Sequence, residues 1–158
     1  MEREEFNIKE ILQDLEEAYL KKGEGIILLP RDLFFTDEQL QNIHCLAYQA
    51  LVSLLPNKLL AGQTDEVLAD RFKRRFDNWK KTVIKGASGV GGEATVRAAE
   101  SLKLEDLLSC AKSMRELYLA ESENNFVDKR IREACWKNAS LCHQTEVIIR
   151  KVIRDFVE

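Results

Sequence analysis

Residues 86–93 read GASGVGGE, with glycines spaced as in the phosphate-cradling loop GxxxxGK[ST] and placed after the short apolar run Thr82 to Ile84. In that frame backbone amides hold phosphate oxygens, a lysine reaches the outer phosphates and a hydroxyl holds magnesium. Here Gly92 stands at the lysine position and Glu93 at the hydroxyl position. A carboxylate at the mouth of the loop repels the anion that the amides and the following helix terminus would attract. The segment therefore reads first as a helix-to-helix linker. An enzyme built on a degenerate phosphate loop stands third among the functional readings, with one phosphate or sulfate on the loop amides as a looser use.

The metal-ligating inventory is short: His44, His143 and four cysteines, Cys45, Cys110, Cys135 and Cys142. Cys142 and His143 are neighbours, and adjacent side chains on a helix diverge by about 100°. Cys135 and Cys142 share a face but are two turns apart, about 10 Å of rise, too far for one zinc ion or a disulfide within a helix. The cysteines read as buried thiols acting as small hydrophobes, and no metal or cofactor is expected. Asn138 and Thr145, on that same face, are expected to set packing register or to bond a neighbouring helix. Glu16 and Glu17, Asp37 and Glu38, and Glu105 and Asp106 are sequential acidic pairs without the ExxH companion of di-iron bundles. His143-Gln-Thr-Glu146 reverses that order and occurs once. Neither GxSxG nor HExxH occurs, so no catalytic residue is assigned.

The segment with the most leverage is Asp65 to Lys85, DEVLADRFKRRFDNWKKTVIK, which holds seven basic against four acidic residues. Leu68, Phe72, Phe76 (or Arg75), Trp79 and Val83 recur at steps of three to four, so a helix aligns them on one face. Arg71, Lys73, Arg74, Arg75, Lys80 and Lys81 occupy the other positions. The plain reading is an amphipathic helix with a core stripe and solvated cations. The sharper reading is a contact surface, either for phosphates, with binding that falls steeply as salt rises, or for an acidic helix. Met1 to Lys22, with seven acidic and four basic residues, is such a helix, from the same or another copy.

The elements that must position these residues are helical. Ile8, Ile11, Leu12, Leu15 and Tyr19 form a helical stripe that Gly23 ends. Gly23 to Phe35 reads as an extended segment pinned to the core, since no second strand is available to pair with it. Thr36 to Gln39 has capping-box spacing and opens a second helix, Asp37 to Leu55, which Pro56 ends. Thr64 caps the basic helix, with Asp65 and Glu66 at its positive end. The glycines of 86–92 carry too much backbone entropy for a helix interior and make a turn. Glu93 to Leu102 and Leu104 to Ala120 then read as one broken helix or two separate ones, with a polar joint at Glu121 to Asn125. The last, Val127 to Val157, shows Ile131, Cys135, Asn138, Cys142, Thr145, Ile149, Val152 and Phe156 at alternating steps of four and three. Ala134, Leu141 and Ile148 widen that face beyond a two-stranded seam, which suits packing against two or more helices.

Composition bounds the rest. The chain has 158 residues, 45% apolar and 32% charged, with two prolines and seven glycines. That is enough to bury a core without disulfides or metal. The formal charge is −3, and because the basic segment carries +3, about −6 falls on the remainder. Scattered cysteines without a CxxC pair and an acidic start without a leader pattern imply a reducing, cytoplasmic setting. No apolar run approaches the 18 or so residues of a membrane span.

The expected fold is all-α, one domain over 1–158, a bundle of about five or six helices with the C-terminal helix as its central or longest strut. The expected function is non-catalytic: a helical adaptor or regulatory and assembly subunit acting through protein contacts, including homo-oligomers. The oligomer expectation rests on the long heptad-like face, which offers apolar surface beyond what a small monomer covers. The competing reading is a nucleic-acid accessory protein gripping phosphates through the six basic residues named above.

Overall fold

The computed structural model describes residues 39–56, 61–87 and 92–156, which form five α-helices preceded by a single 3-10 turn at Gln39–Gln41. They are α1 (Ile43–Leu54), α2 (Asp65–Gly86), α3 (Glu93–Ser101), α4 (Leu104–Ser122) and α5 (Lys129–Phe156). No strand occurs among the described residues. The expected N-terminal helix, the pinned segment and the Thr36 capping box lie outside them, as do residues 88–91 of the glycine turn.

Each helix start has a local chemical cause. Helix α1 begins six residues later than the spacing predicts, because Asn42 accepts a hydrogen bond from the His44 amide at 2.8 Å and caps the helix there. It stops at Leu55, held extended (φ −65°, ψ 136°) as the residue before Pro56 must be. Thr64 caps α2 as expected, its hydroxyl accepting from the Val67 amide at 3.3 Å. Gly62, at φ +76°, takes a backbone conformation that favours glycine in the approach to that cap. Between α3 and α4 the chain runs extended through Leu102 and Lys103, and the Asp106 carboxylate accepts from the Lys103 amide at 2.9 Å to open α4. The Asp128 side chain does the same for α5, accepting from the Arg130 amide at 2.8 Å, and this bond holds its pKa below the usual carboxylate value.

Packing draws one apolar cluster from all five helices. Helix α1 buries most of its circumference, through Cys45, Leu46, Ala47, Tyr48, Ala50, Leu51, Val52 and Leu54, and leaves His44 and Ser53 exposed. The 28-residue α5 is the longest strut and packs chiefly on α4, with a second contact along α2. Half of its circumference is buried: Ile131, Cys135, Asn138, Cys142, Thr145, Ile149 and Val152 at the centre, and Leu141 and Ile148 to one side. From Ile131 to Val152 the heptad-like row is thus covered by the chain's own helices, while its last member, Phe156, is 46% exposed. Most of the apolar surface on which a homo-oligomer was expected is therefore already used.

Candidate docking surface

The six basic residues of α2 do not form one surface. Its core stripe, Leu68, Ala69, Phe72 and Phe76, is buried, with Trp79 and Val83 half-buried beyond it. Arg75 flanks this stripe on one side and donates to the carbonyls of Leu54 (3.2 Å) and Ser53 (3.3 Å), the unpaired C-terminal carbonyls of α1. Lys80 flanks it on the other, donating to the Leu102 carbonyl just past α3 at 3.0 Å, with its ammonium 5.5 Å from the centre of the Phe76 ring. Both cations cap a neighbouring helix whose end carries partial negative charge. Lys73 is bound to Asp77 at 2.8 Å, and Arg74 to Asp70 at 2.7 Å. Only Arg71 and Lys81 of the six are exposed with neither an ion pair nor a side-chain hydrogen bond to a described residue.

The polar groups in the core are spoken for or isolated. Glu146, 1% exposed, receives the Arg115 guanidinium across α4 and α5, and Arg150 stands 3.6 Å away on its own helix. Thr145 donates back to the Leu141 carbonyl at 2.8 Å, so it satisfies itself within α5 instead of bonding a neighbouring helix as expected. The Asn138 amide nitrogen is buried and has no hydrogen-bond partner. All four cysteines are free and buried. Burial pushes the Cys110 and Cys142 thiols up to about 12, with the Asp106 and Glu146 carboxylates adding to it respectively. Burial keeps such thiols neutral at ordinary pH, the setting in which cysteines pack as small hydrophobes. Cys142 is buried while His143 faces outward, the divergence expected of neighbours on a helix.

The surface that sequence reading passed over lies on the outside of α5. Trp136 is 58% exposed, Val147 is 38% exposed, and His143 between them is exposed as well. At offsets of seven and eleven residues from Trp136 these three fall in one row. Exposed Lys129, Arg150 and Arg154 continue it at its two ends, Arg150 standing 3.6 Å from Glu146 and Arg154 3.8 Å from Asp155, and Glu133 is the acid on that face. The signal was available: those positions are the ones the buried heptad row leaves over. The outer positions of an amphipathic helix have no periodic mark of their own, so spacing does not separate such a row from a solvated face. Phe126, fully exposed in the joint before α5, adds a second outward aromatic.

Matched against models of protein families, against curated proteins and against solved structures, the chain matches none. No described helix is long and apolar enough to cross a membrane.

Proposed function

We propose that this chain is a non-catalytic helical adaptor whose outer α5 face docks an acidic, amphipathic segment of a partner protein. The observation that carries the reading is the Trp136, His143 and Val147 row, apolar at its anchors and bordered by cations. Truncations that most weaken protein interfaces fall on tryptophan, tyrosine and arginine, and a tryptophan held on a rigid helix offers large contact area at small entropy loss. Burying such a row against another apolar stripe yields on the order of 25 cal/mol per Å² removed from water.

The test is capture of partners by the full chain and by Trp136→Ser/Val147→Ser, in nuclease-treated extract. Both substituted side chains point outward, so the melting temperature is expected to hold. A partner retained by the parent and lost by the variant supports the adaptor reading. Identical capture by both, or capture abolished by nuclease, overturns it.

Nucleic-acid binding is the weaker reading, because Arg75 and Lys80 are occupied with helix ends and Lys73 and Arg74 with carboxylates. Its fair test is Arg71→Glu/Lys81→Glu, since a change at Arg75 removes a helix cap as well. Filter binding with mixed RNA and DNA at low salt is expected to show no difference between this variant and the parent. Micromolar binding by the parent, lost in the variant, would reverse the preference.

A further inference from the structure

We propose that the outer row of α2 is a second docking surface, fitted to an acidic α-helix of another protein. The outer row of α5 takes no part in it, so the two surfaces stand or fall separately.

Arg75 and Lys80 leave α2 along its flanks to close neighbouring helix ends, and setting them aside uncovers a simpler pattern on the outside. Val67, Arg71, Arg74, Asn78, Lys81 and Lys85 follow one another at steps of three and four, and all six are exposed. At about 100° per residue they fall within about 40° of a single line down the helix, opposite the buried stripe of Leu68, Phe72 and Phe76. From Arg71 to Lys85 the row extends about 21 Å at the rise of an α-helix. Its charged members are all cations. None of the four acids of α2 stands in it. Glu66 and Asp77 lie on the flank that meets α5: Glu66 stands 3.8 Å from Lys151 there, and Asp77 holds Lys73, whose ammonium lies 5.9 Å from the centre of the Phe156 ring. Asp70 sits at the edge of the row and pairs with Arg74 at 2.7 Å. Both of those side chains are more than half exposed, so the pair is solvated and weak, and Arg74 can exchange it for a carboxylate from outside.

Three properties of the row select its occupant. Its charge calls for an anion. Its periodicity calls for a helix: a second helix laid along α2 repeats at the same 3.6 residues per turn, so carboxylates at steps of three and four stand opposite successive cations along the whole row. Val67, 47% exposed at the head of the row, calls for protein, because an apolar side chain can cover it and a phosphate backbone cannot. A nucleic-acid duplex on so narrow a row would also bring phosphates over the carboxylates of Asp70 and Asp77. Pairing through solvated charges gives a contact that weakens as salt rises.

The experiment measures fluorescence anisotropy at low salt with the full chain and a labelled, alanine-rich peptide of about 20 residues. The peptide carries four glutamates at steps of three and four and a leucine near one end. A second peptide of the same composition has its glutamates at steps of five, which scatters them around the helix. The first peptide is expected to bind, to lose roughly ten-fold or more in affinity in Arg71→Glu/Lys81→Glu, and to lose two- to three-fold in Val67→Ser. Lys112→Glu, which changes an exposed cation of α4 outside the row, should bind like the parent. If the charge reversal lowers the melting temperature, Arg71→Gln/Lys81→Gln reads the same loss at roughly three-fold or more. The peptide with steps of five should bind the parent several-fold more weakly. Equal affinity for the two peptides overturns the proposal, as does no measurable binding of the first at millimolar concentration. Tighter binding of a thymidine oligonucleotide, lost in Arg71→Glu/Lys81→Glu, overturns it and assigns the row to nucleic acid. A dimer seen by light scattering and lost in the same variant overturns it and assigns the row to a second copy.

Discussion

Glu146 is an ionisable side chain enclosed almost completely by α4 and α5, and its tolerance depends on Arg115. A buried pair of this kind adds little over well-packed apolar groups, but removing one partner strands the other charge. Arg115→Ala is therefore expected to lower unfolding free energy by about 3 kcal/mol, while Arg115→Leu/Glu146→Leu lowers it by less than the single change. Urea denaturation of both variants checks the order, and a double variant less stable than Arg115→Ala would refute it. Asn138 presents the opposite case. Its buried amide nitrogen donates to nothing, so Asn138→Leu, branched at the same carbon though larger, is expected to raise the melting temperature by removing an unsatisfied donor. A lower melting temperature would show that the amide fixes helix register. Sequence spacing placed Asn138, Thr145 and Glu146 on a helix, but partners such as Arg115 come from another helix 31 positions away, beyond any local pattern.

Helix α2 shows how one element holds two others. Its apolar stripe packs inward while Arg75 and Lys80 leave its two flanks to close the C-terminal ends of α1 and α3. Arg75→Ala and Lys80→Ala are each expected to lower stability by about 1 kcal/mol, and additively, because they share no partner. Arg71→Ala and Lys81→Ala, which touch no described carbonyl or acid, should stay within about 0.5 kcal/mol. Thermal melts of the four single variants and the Arg75→Ala/Lys80→Ala pair make the comparison. Four equal results would mean that the helix-end contacts contribute nothing. Periodicity and capping residues made the extent of α2 legible, from Thr64 to the glycines after Ile84. The late start of α1 was less so, since Thr36 with Gln39 and Asn42 both offer capping chemistry and only one opens the described helix.

Across the whole molecule, the buried thiols tie stability to alkalinity. Cys110 and Cys142 start from an ordinary value of 9.0 and are raised by burial to about 12 in the folded state. Between those values the unfolded chain releases protons that the folded chain keeps, so raising the pH favours unfolding. Their contribution is full below about pH 9 and declines as pH climbs toward about 12. Urea midpoints are expected to fall from pH 8 to pH 10.5, and to fall less in Cys142→Ala. At pH 8 the native chain should leave all four cysteines unreactive toward a thiol reagent, with all four reacting in denaturant. A thiol that reacts in the native state would show that its helix opens readily.

Local spacing determined on its own that α2 to α5 are helical, with ends within about two residues of the observed ones, and that α5 is wide enough in its apolar face to serve as a central strut. Those features follow from neighbours within a few turns, and a sequence displays them directly. The tertiary structure decided which cations are spent on helix ends, that the heptad-like row of α5 is sealed inside the chain from Ile131 to Val152, and that Trp136, His143 and Val147 lie outside. Exposure is a property of what packs against a residue, and for α5 that is α4 and α2, whose arrival on one side leaves the opposite side exposed.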